Sequence, residues 1–151
     1  MVILGLMVAL LVEIIPLWKL YYHLVWSTYD RQPLLTPVRE AQLYRYIARK
    51  VDLLGCVLQA IGGIDDHVHL VVSIPPKLAI ADFVKHIKGG SAHDLNHSYP
   101  GASSKFGWQN EYGVFLLGSK QLDRAATYVQ NQKDHHKNGT TIASLETTTD
   151  A

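Results

Sequence analysis

Two pairs of side chains have types and spacings suited to chemistry on phosphate. His67 and His69 flank a single residue, Val68, in the run HVHLVVSI. In an extended strand, residues two apart point to the same face, and at ~3.3 Å of rise per residue their bases stand roughly 6–7 Å apart. Two imidazoles so placed can converge on one metal ion. A lone pair of this kind suits equally well two polar residues on an exposed strand face. Asp65 and Asp66 precede it. One of them can orient a ligand histidine through its other ring nitrogen, or both can simply shape a turn.

Tyr128 and Gln132 form the second pair. Four residues apart on a helix, they share a face. A tyrosine hydroxyl can attack phosphorus, but its unperturbed pKa of ~10 requires a nearby metal or base and a well-placed phosphate. A glutamine carbonyl is a hard oxygen ligand of the kind magnesium and manganese take. On spacing alone, Tyr128 reads first as a packed aromatic.

The elements that must position these pairs follow from periodicity. Residues 20–28, LYYHLVWST, are aromatic and β-branched and predict a first strand. Apolar residues Leu43, Ile47, Val51 and Leu54 recur at helical spacing, predicting a helix over 38–54 that Gly55 ends. Residues 56–61 predict a second strand. Gly62-Gly63 and Asp65-Asp66 predict the turn after it, and 67–74 the third strand, stopped by Pro75-Pro76. An apolar stripe of Ile80, Phe83, Val84 and Ile87 predicts a helix over 78–88. The polar stretch 89–110 continues it briefly before a long loop. A fourth strand follows at 112–118 and a last helix at 121–137, stopped by Asn138-Gly139. The order β-α-β-β-α-β-α predicts an α+β, ferredoxin-like (RRM-like) fold. Helices would cover one face of an antiparallel sheet, with a C-terminal tyrosine-bearing helix in addition.

At 151 residues, 48% hydrophobic and 18% charged, the chain suits one domain with a packed core. A net charge of +1 does not mark a strongly basic nucleic-acid binder. Charge is uneven, however. Lys19, Arg31, Arg39, Arg45, Arg49 and Lys50 face only Asp30 and Glu40 across residues 19–50, giving a local basic face or a solvated helix surface. The one cysteine, Cys56, cannot form an internal disulfide, which fits a cytoplasmic protein. Residues 1–15 read as an apolar extension, too short for a bilayer span of roughly 20 residues and without the basic start of a signal peptide. An upstream translation start, a docked helix and a membrane anchor are the three readings, and no membrane partner is expected. The domain would occupy 16–139, and the Thr-rich stretch 140–151 would be a mobile tail.

Taken together, the motifs resemble a known family. His67-Val68-His69 within DDHVHLVVSIPP resembles the HUH motif, two histidines around a bulky apolar residue. Tyr128 to Gln132 within YVQNQKDHH is similar to the tyrosine helix of the single-tyrosine HUH transposases. These are small insertion-sequence transposases acting on single-stranded DNA, together with REP-associated relatives. The stretches PLWKLYYHLVWSTYDRQPLL and WQNEYGVFLLG share that likeness, which spans about residues 16–137. Asp65 stands where relatives often carry proline, and the apolar start has no counterpart.

The resemblance implies that His67, His69 and Gln132 hold one Mg²⁺ or Mn²⁺ and that Tyr128 is the catalytic nucleophile. Attack would leave a 5′-phosphotyrosine link and a free 3′-OH, and another strand's 3′-OH would resolve it without ATP. It implies a homodimer, in which the tyrosine helix serves its own or its partner's histidines, and a single-stranded DNA partner bearing hairpins. Tyr22, Trp26, Arg31, Lys85, Lys88 and Trp108 are the candidates to stack on bases or hold phosphates. His136, four residues beyond Gln132, is a further candidate ligand. Competing readings are a domesticated nickase acting on host repeat DNA, a non-catalytic module binding single-stranded DNA or RNA, and, last, a metal hydrolase built on the histidine pair.

Overall fold

A computed structural model describes residues 17–98, 101 and 104–149. The apolar extension 1–15 lies outside the described residues. The first strand, β1, runs Tyr21–Ser27 and is followed by a single 3-10 turn, Tyr29–Arg31. Helix α1, Pro37–Leu53, starts on Thr36, whose hydroxyl accepts the backbone N–H of Arg39 at 3.3 Å, with Pro37 in the first turn. Gly55, at φ 74°, ends it in the left-handed region that glycine tolerates. Strands β2, Val57–Ile64, and β3, His67–Ser73, are joined by a tight turn at Asp65-Asp66. Helix α2, Ile80–Ser98, leads to strand β4, Gly113–Leu117. Three helices close the chain: α3, Leu122–Gln130, α4, Gln132–Asn138, and the single turn α5, Ala143–Glu146.

The sheet order is β2-β3-β1-β4, and every pairing is antiparallel. This is the split βαβ arrangement expected from the element order. The central strand β3 is buried along its whole length because both sheet faces are covered. One face carries α1 and α2 over the main core, where Leu24, Trp26, Leu43, Ile47, Leu70 and Phe83 are fully buried. Each such side chain contributes about 1.5–3 kcal/mol by leaving water. The other face carries α3, with Val129 and Tyr128 seated on Ala60 and Val71. Among the described residues, no helix is long and apolar enough to cross a membrane.

Four expectations change on the fold. Gly62-Gly63 is not a turn but part of β2. A Cβ on Gly62 would lie 1.9 Å from the Val129 carbonyl oxygen, so the residue is glycine to let α3 rest on the strand. The second helix runs ten residues beyond Lys88. Gly90 sits inside it because a Cβ there would lie 1.9 Å from the Tyr46 hydroxyl of α1. The last helix is broken at Asn131, whose φ and ψ are −102° and 24°. Finally, residues 140–149 do not trail away from the domain. Leu145 packs beside the Tyr128 and Val129 cluster, so the stretch folds back over α3 and β4. Residues 150 and 151 lie outside the described residues.

Candidate active site

The register of β3 on its neighbours sets the site. His67 pairs with Ser27 and Ile64, and His69 with Val25 and Gly62. Both histidines therefore face α3, opposite the main core. A shift between Leu58 and Ala60 in the β2 pairing brings Ala60 and Gly62 to that same face. One extra residue in a strand changes which alternate positions face which side. The two histidine rings lie 5.0 Å apart between centroids and are almost fully buried.

Each ring is held through Nδ1, which leaves Nε2 directed into the site. His67 Nδ1 lies 2.7 Å from the Asp66 carboxylate, so Asp66, rather than Asp65, is the orienting acid. His69 Nδ1 lies 2.7 Å from His23 Nε2 on β1. His23 is buried, and burial first, then the neighbouring His69, lowers its pKa to about 4. A neutral His23 can accept the Nδ1–H of His69, the tautomer that leaves a lone pair on His69 Nε2.

Helices α3 and α4 bring the second pair. Tyr128 and Gln132 are both buried, and Gln132 Oε1 lies 3.4 Å from His67 Nε2. The break at Asn131 does not separate them, since Gln132 Nε2 donates to the Tyr128 carbonyl at 3.5 Å. His136 Nε2 lies 3.2 Å from Gln132 Oε1, and its ring packs edge-on against His67. The Tyr128 ring stacks on His135, with centroids 4.7 Å apart. All four residues of the two predicted pairs thus meet within one chain.

A carboxylate that the sequence reading did not single out completes the group. Glu146 on α5 places Oε2 3.1 Å from His67 Nε2 and 2.9 Å from His69 Nε2. Its Oε1 accepts the Tyr128 hydroxyl proton at 2.5 Å, and that hydroxyl in turn accepts the Ile142 N–H at 2.9 Å. Glu146 sits in a Thr-rich stretch with no helical or strand period, so nothing local marked it. His23 was equally hidden, because only the β1–β3 register brings it to His69.

Burial works against charging His67, but hydrogen bonds to Asp66 and Glu146 outweigh it and raise its pKa to about 9. Burial lowers the pKa of His69 despite Glu146. Burial would raise Glu146, yet hydrogen bonds from His67 and His69 hold its carboxyl well below the usual range. Burial, and then the contact with Glu146, push the Tyr128 hydroxyl up. Asp66 and Glu146 thus favour a positive charge at His67, the position between the two carboxylates. His67, His136 and Glu146 offer ligand atoms all within 4.8 Å of one another. Two imidazole nitrogens with carboxylate and amide oxygens are a donor set that Mg²⁺ or Mn²⁺ can use.

The six candidate DNA contacts divide. Trp26 is fully buried in the main core, which removes it from contact with DNA, and Tyr22 packs partly into that core; both lie on the sheet face opposite His23 and Val25. Arg31 is exposed, 3.9 Å from Asp66, at the histidine end of β3. Lys85, Lys88 and Trp108 line one groove with Gln109 and Tyr112. Lys88 Nζ donates to the carbonyls of Gln109 and Glu111, and Trp108 Nε1 donates to Ser91 at 3.0 Å.

Known proteins fit this arrangement. The fold and the site define a mixed α/β domain with a histidine pair on its central strand and a tyrosine helix laid over it. Residues 16–132 match the family described as "Transposase IS200 like", and the chain belongs to that family. It is 31% identical over 124 residues to the ISDra2 transposase TnpA of Deinococcus radiodurans, covering 78% of this chain and 86% of that one. It is 27% identical over 131 residues to the transposase for insertion sequence element IS200 of Salmonella typhimurium, covering 81% and 82%. Among solved structures, a candidate transposase from Deinococcus radiodurans R1 superposes with a TM-score of 0.64 at 28% identity, covering 78% of this chain and 93% of that one. A REP-associated tyrosine transposase bound to a REP hairpin gives 0.58 at 13% identity, covering 84% and 76%, a likeness of fold.

Proposed function

We propose that this chain cleaves and rejoins single-stranded DNA, with Tyr128 as the nucleophile and His67, His69 and Gln132 holding Mg²⁺ or Mn²⁺. The observation that carries the reading is the meeting of Tyr128 with both histidines and Gln132 in one buried cluster. When bound, the ion would supply Lewis acidity at a phosphate oxygen and a template for the scissile group. The chain's own residues do the rest. Asp66 and His23 fix the histidine rings, and α3 presents the Tyr128 hydroxyl beside them. The phenolic oxygen forms a bond to phosphorus as the bond from phosphorus to the 3′ oxygen breaks. The phenol proton is lost and the departing 3′ oxygen gains one, leaving a 5′-phosphotyrosine and a free 3′-OH. Reversal with another 3′-OH rejoins strands, and since one phosphodiester replaces another through the covalent link, no external energy source enters.

The hairpin in the REP-associated neighbour supports a single strand with a folded hairpin as substrate. Arg31 beside the site, and the Lys85, Lys88 and Trp108 groove, are the surfaces proposed to hold it. A homodimer is proposed as the working form.

Incubation with single-stranded DNA from the flanks of its own gene, labelled at the 5′ or the 3′ end, tests the reading. With Mn²⁺, the 3′ label should become linked to protein and the 5′ label should not. Tyr128→Phe should abolish the adduct while still binding the strand. Binding without an adduct under any metal would instead favour the non-catalytic module.

A further inference from the structure

Glu146 reaches the histidines from a part of the chain far from either motif, and its contacts are those of a ligand. We propose that Glu146 is a further carboxylate ligand of the metal centre, supplied by the C-terminal turn, whose second oxygen holds the Tyr128 hydroxyl. This rests on the metal site proposed above.

Spacing is the first argument. Ligand atoms about 2.1 Å from an octahedral ion, at right angles to one another, stand about 3.0 Å apart. Glu146 Oε2 lies 2.9 Å from His69 Nε2 and 3.1 Å from His67 Nε2. Both separations are those of neighbouring ligands on one such ion. Gln132 Oε1, 3.4 Å from His67 Nε2, adds an oxygen on the same side.

Donor and acceptor accounting is the second. With Nδ1 of His67 held by Asp66, Nε2 is the ring nitrogen that points into the site. It faces Gln132 Oε1 and Glu146 Oε2, both acceptors. A hard divalent ion fits that position better when an anionic oxygen joins the two imidazoles.

The third is that the turn is anchored independently of Glu146. Leu145 packs by Tyr128 and Val129, the Ile142 N–H donates to the Tyr128 hydroxyl, and a Cβ on Gly113 would lie 2.4 Å from the Thr147 carbonyl oxygen. The backbone therefore crosses β4 closely and delivers Glu146 from a seated position. With Oε2 toward the ion and Oε1 on the hydroxyl, the carboxylate links metal and nucleophile before DNA arrives.

Mn²⁺ binding to the purified full chain tests this without any turnover, by following the free-ion EPR signal as metal is added. The Mn²⁺ dissociation constant should rise about 10–100-fold in Glu146→Gln and in Glu146→Ala, the range that loss of a metal-supporting group typically brings. Glu146→Asp should fall between these and wild type, because it keeps the charge one methylene short. Far-UV circular dichroism confirms the fold of each variant. Should Glu146→Gln and Glu146→Ala bind Mn²⁺ as tightly as wild type, or more tightly, Glu146 is a displaceable plug and the proposal is wrong. His67→Ala separates the two levels: if wild type takes up no Mn²⁺, or His67→Ala leaves binding intact, the metal site itself fails, and Glu146's role with it.

Discussion

At the scale of single residues, Asp66 and His23 carry as much of the site's geometry as the histidines they hold. Each occupies an Nδ1 position at 2.7 Å, and each turns Nε2 inward. The two supports differ in kind. Asp66 is an anion whose carboxyl is kept low first by its hydrogen bond with His67, whereas His23 is a buried neutral ring. Replacing Asp66 with alanine should therefore weaken Mn²⁺ binding by about 10–100-fold with the fold retained. Titration of Mn²⁺ alongside a thermal melt checks both parts. Affinity equal to wild type would mean that His67 is held by its packing alone.

At the scale of elements, the distance between α3 and the sheet decides whether a tyrosine meets the histidines. Gly62 sets that distance, since its missing Cβ is the space taken by the Val129 carbonyl. Gly62→Ala should push α3 away, costing about 1–3 kcal/mol in urea unfolding as overpacking does. It should also lower the yield of covalent adduct out of proportion to the stability lost, because Tyr128 rides on the displaced helix. Gly89 is the contrasting case. It lies in the interior of α2 with nothing within 4 Å of a built Cβ. Gly89→Ala should stabilise the chain by about 0.5–1 kcal/mol through helix propensity, read in the same urea unfolding. If Gly62→Ala lowered adduct yield no further than its lost stability explains, contact between α3 and β2 would not be what positions the tyrosine.

At the scale of the whole molecule, the question is which chain's tyrosine serves which histidines. Tyr128, Gln132 and Glu146 all meet His67 and His69 of their own chain. The proposed active unit is thus complete in one copy, whether or not copies pair. A mixture of His67→Ala and Tyr128→Phe proteins, each inactive alone, should remain without adduct. Recovery of activity in the mixture would show that tyrosine helices exchange between partners.

What the sequence determined by itself was the spacing of the candidate residues and the order of elements. His67 and His69 on one strand face, Tyr128 and Gln132 four apart, and the β-α-β-β-α-β-α order were all legible, because strand and helix periods are local properties of the chain. The helix stops at Gly55 and Gly139 were legible for the same reason, each glycine adopting positive φ. Where local chemistry was read without its neighbours, it misled. Gly62-Gly63 looks like a turn, and only the helix lying on it explains a glycine pair inside a strand. Trp26 looks like a base-stacking ring until the sheet turns it into the core. Tertiary structure alone decided that the two residue pairs meet, that His23 supports His69 across the sheet, and that Glu146, 77 positions beyond His69, returns to its ring nitrogen. Such contacts join residues far apart in the chain, and no periodicity records them, because they exist only once strand register and helix docking have been chosen.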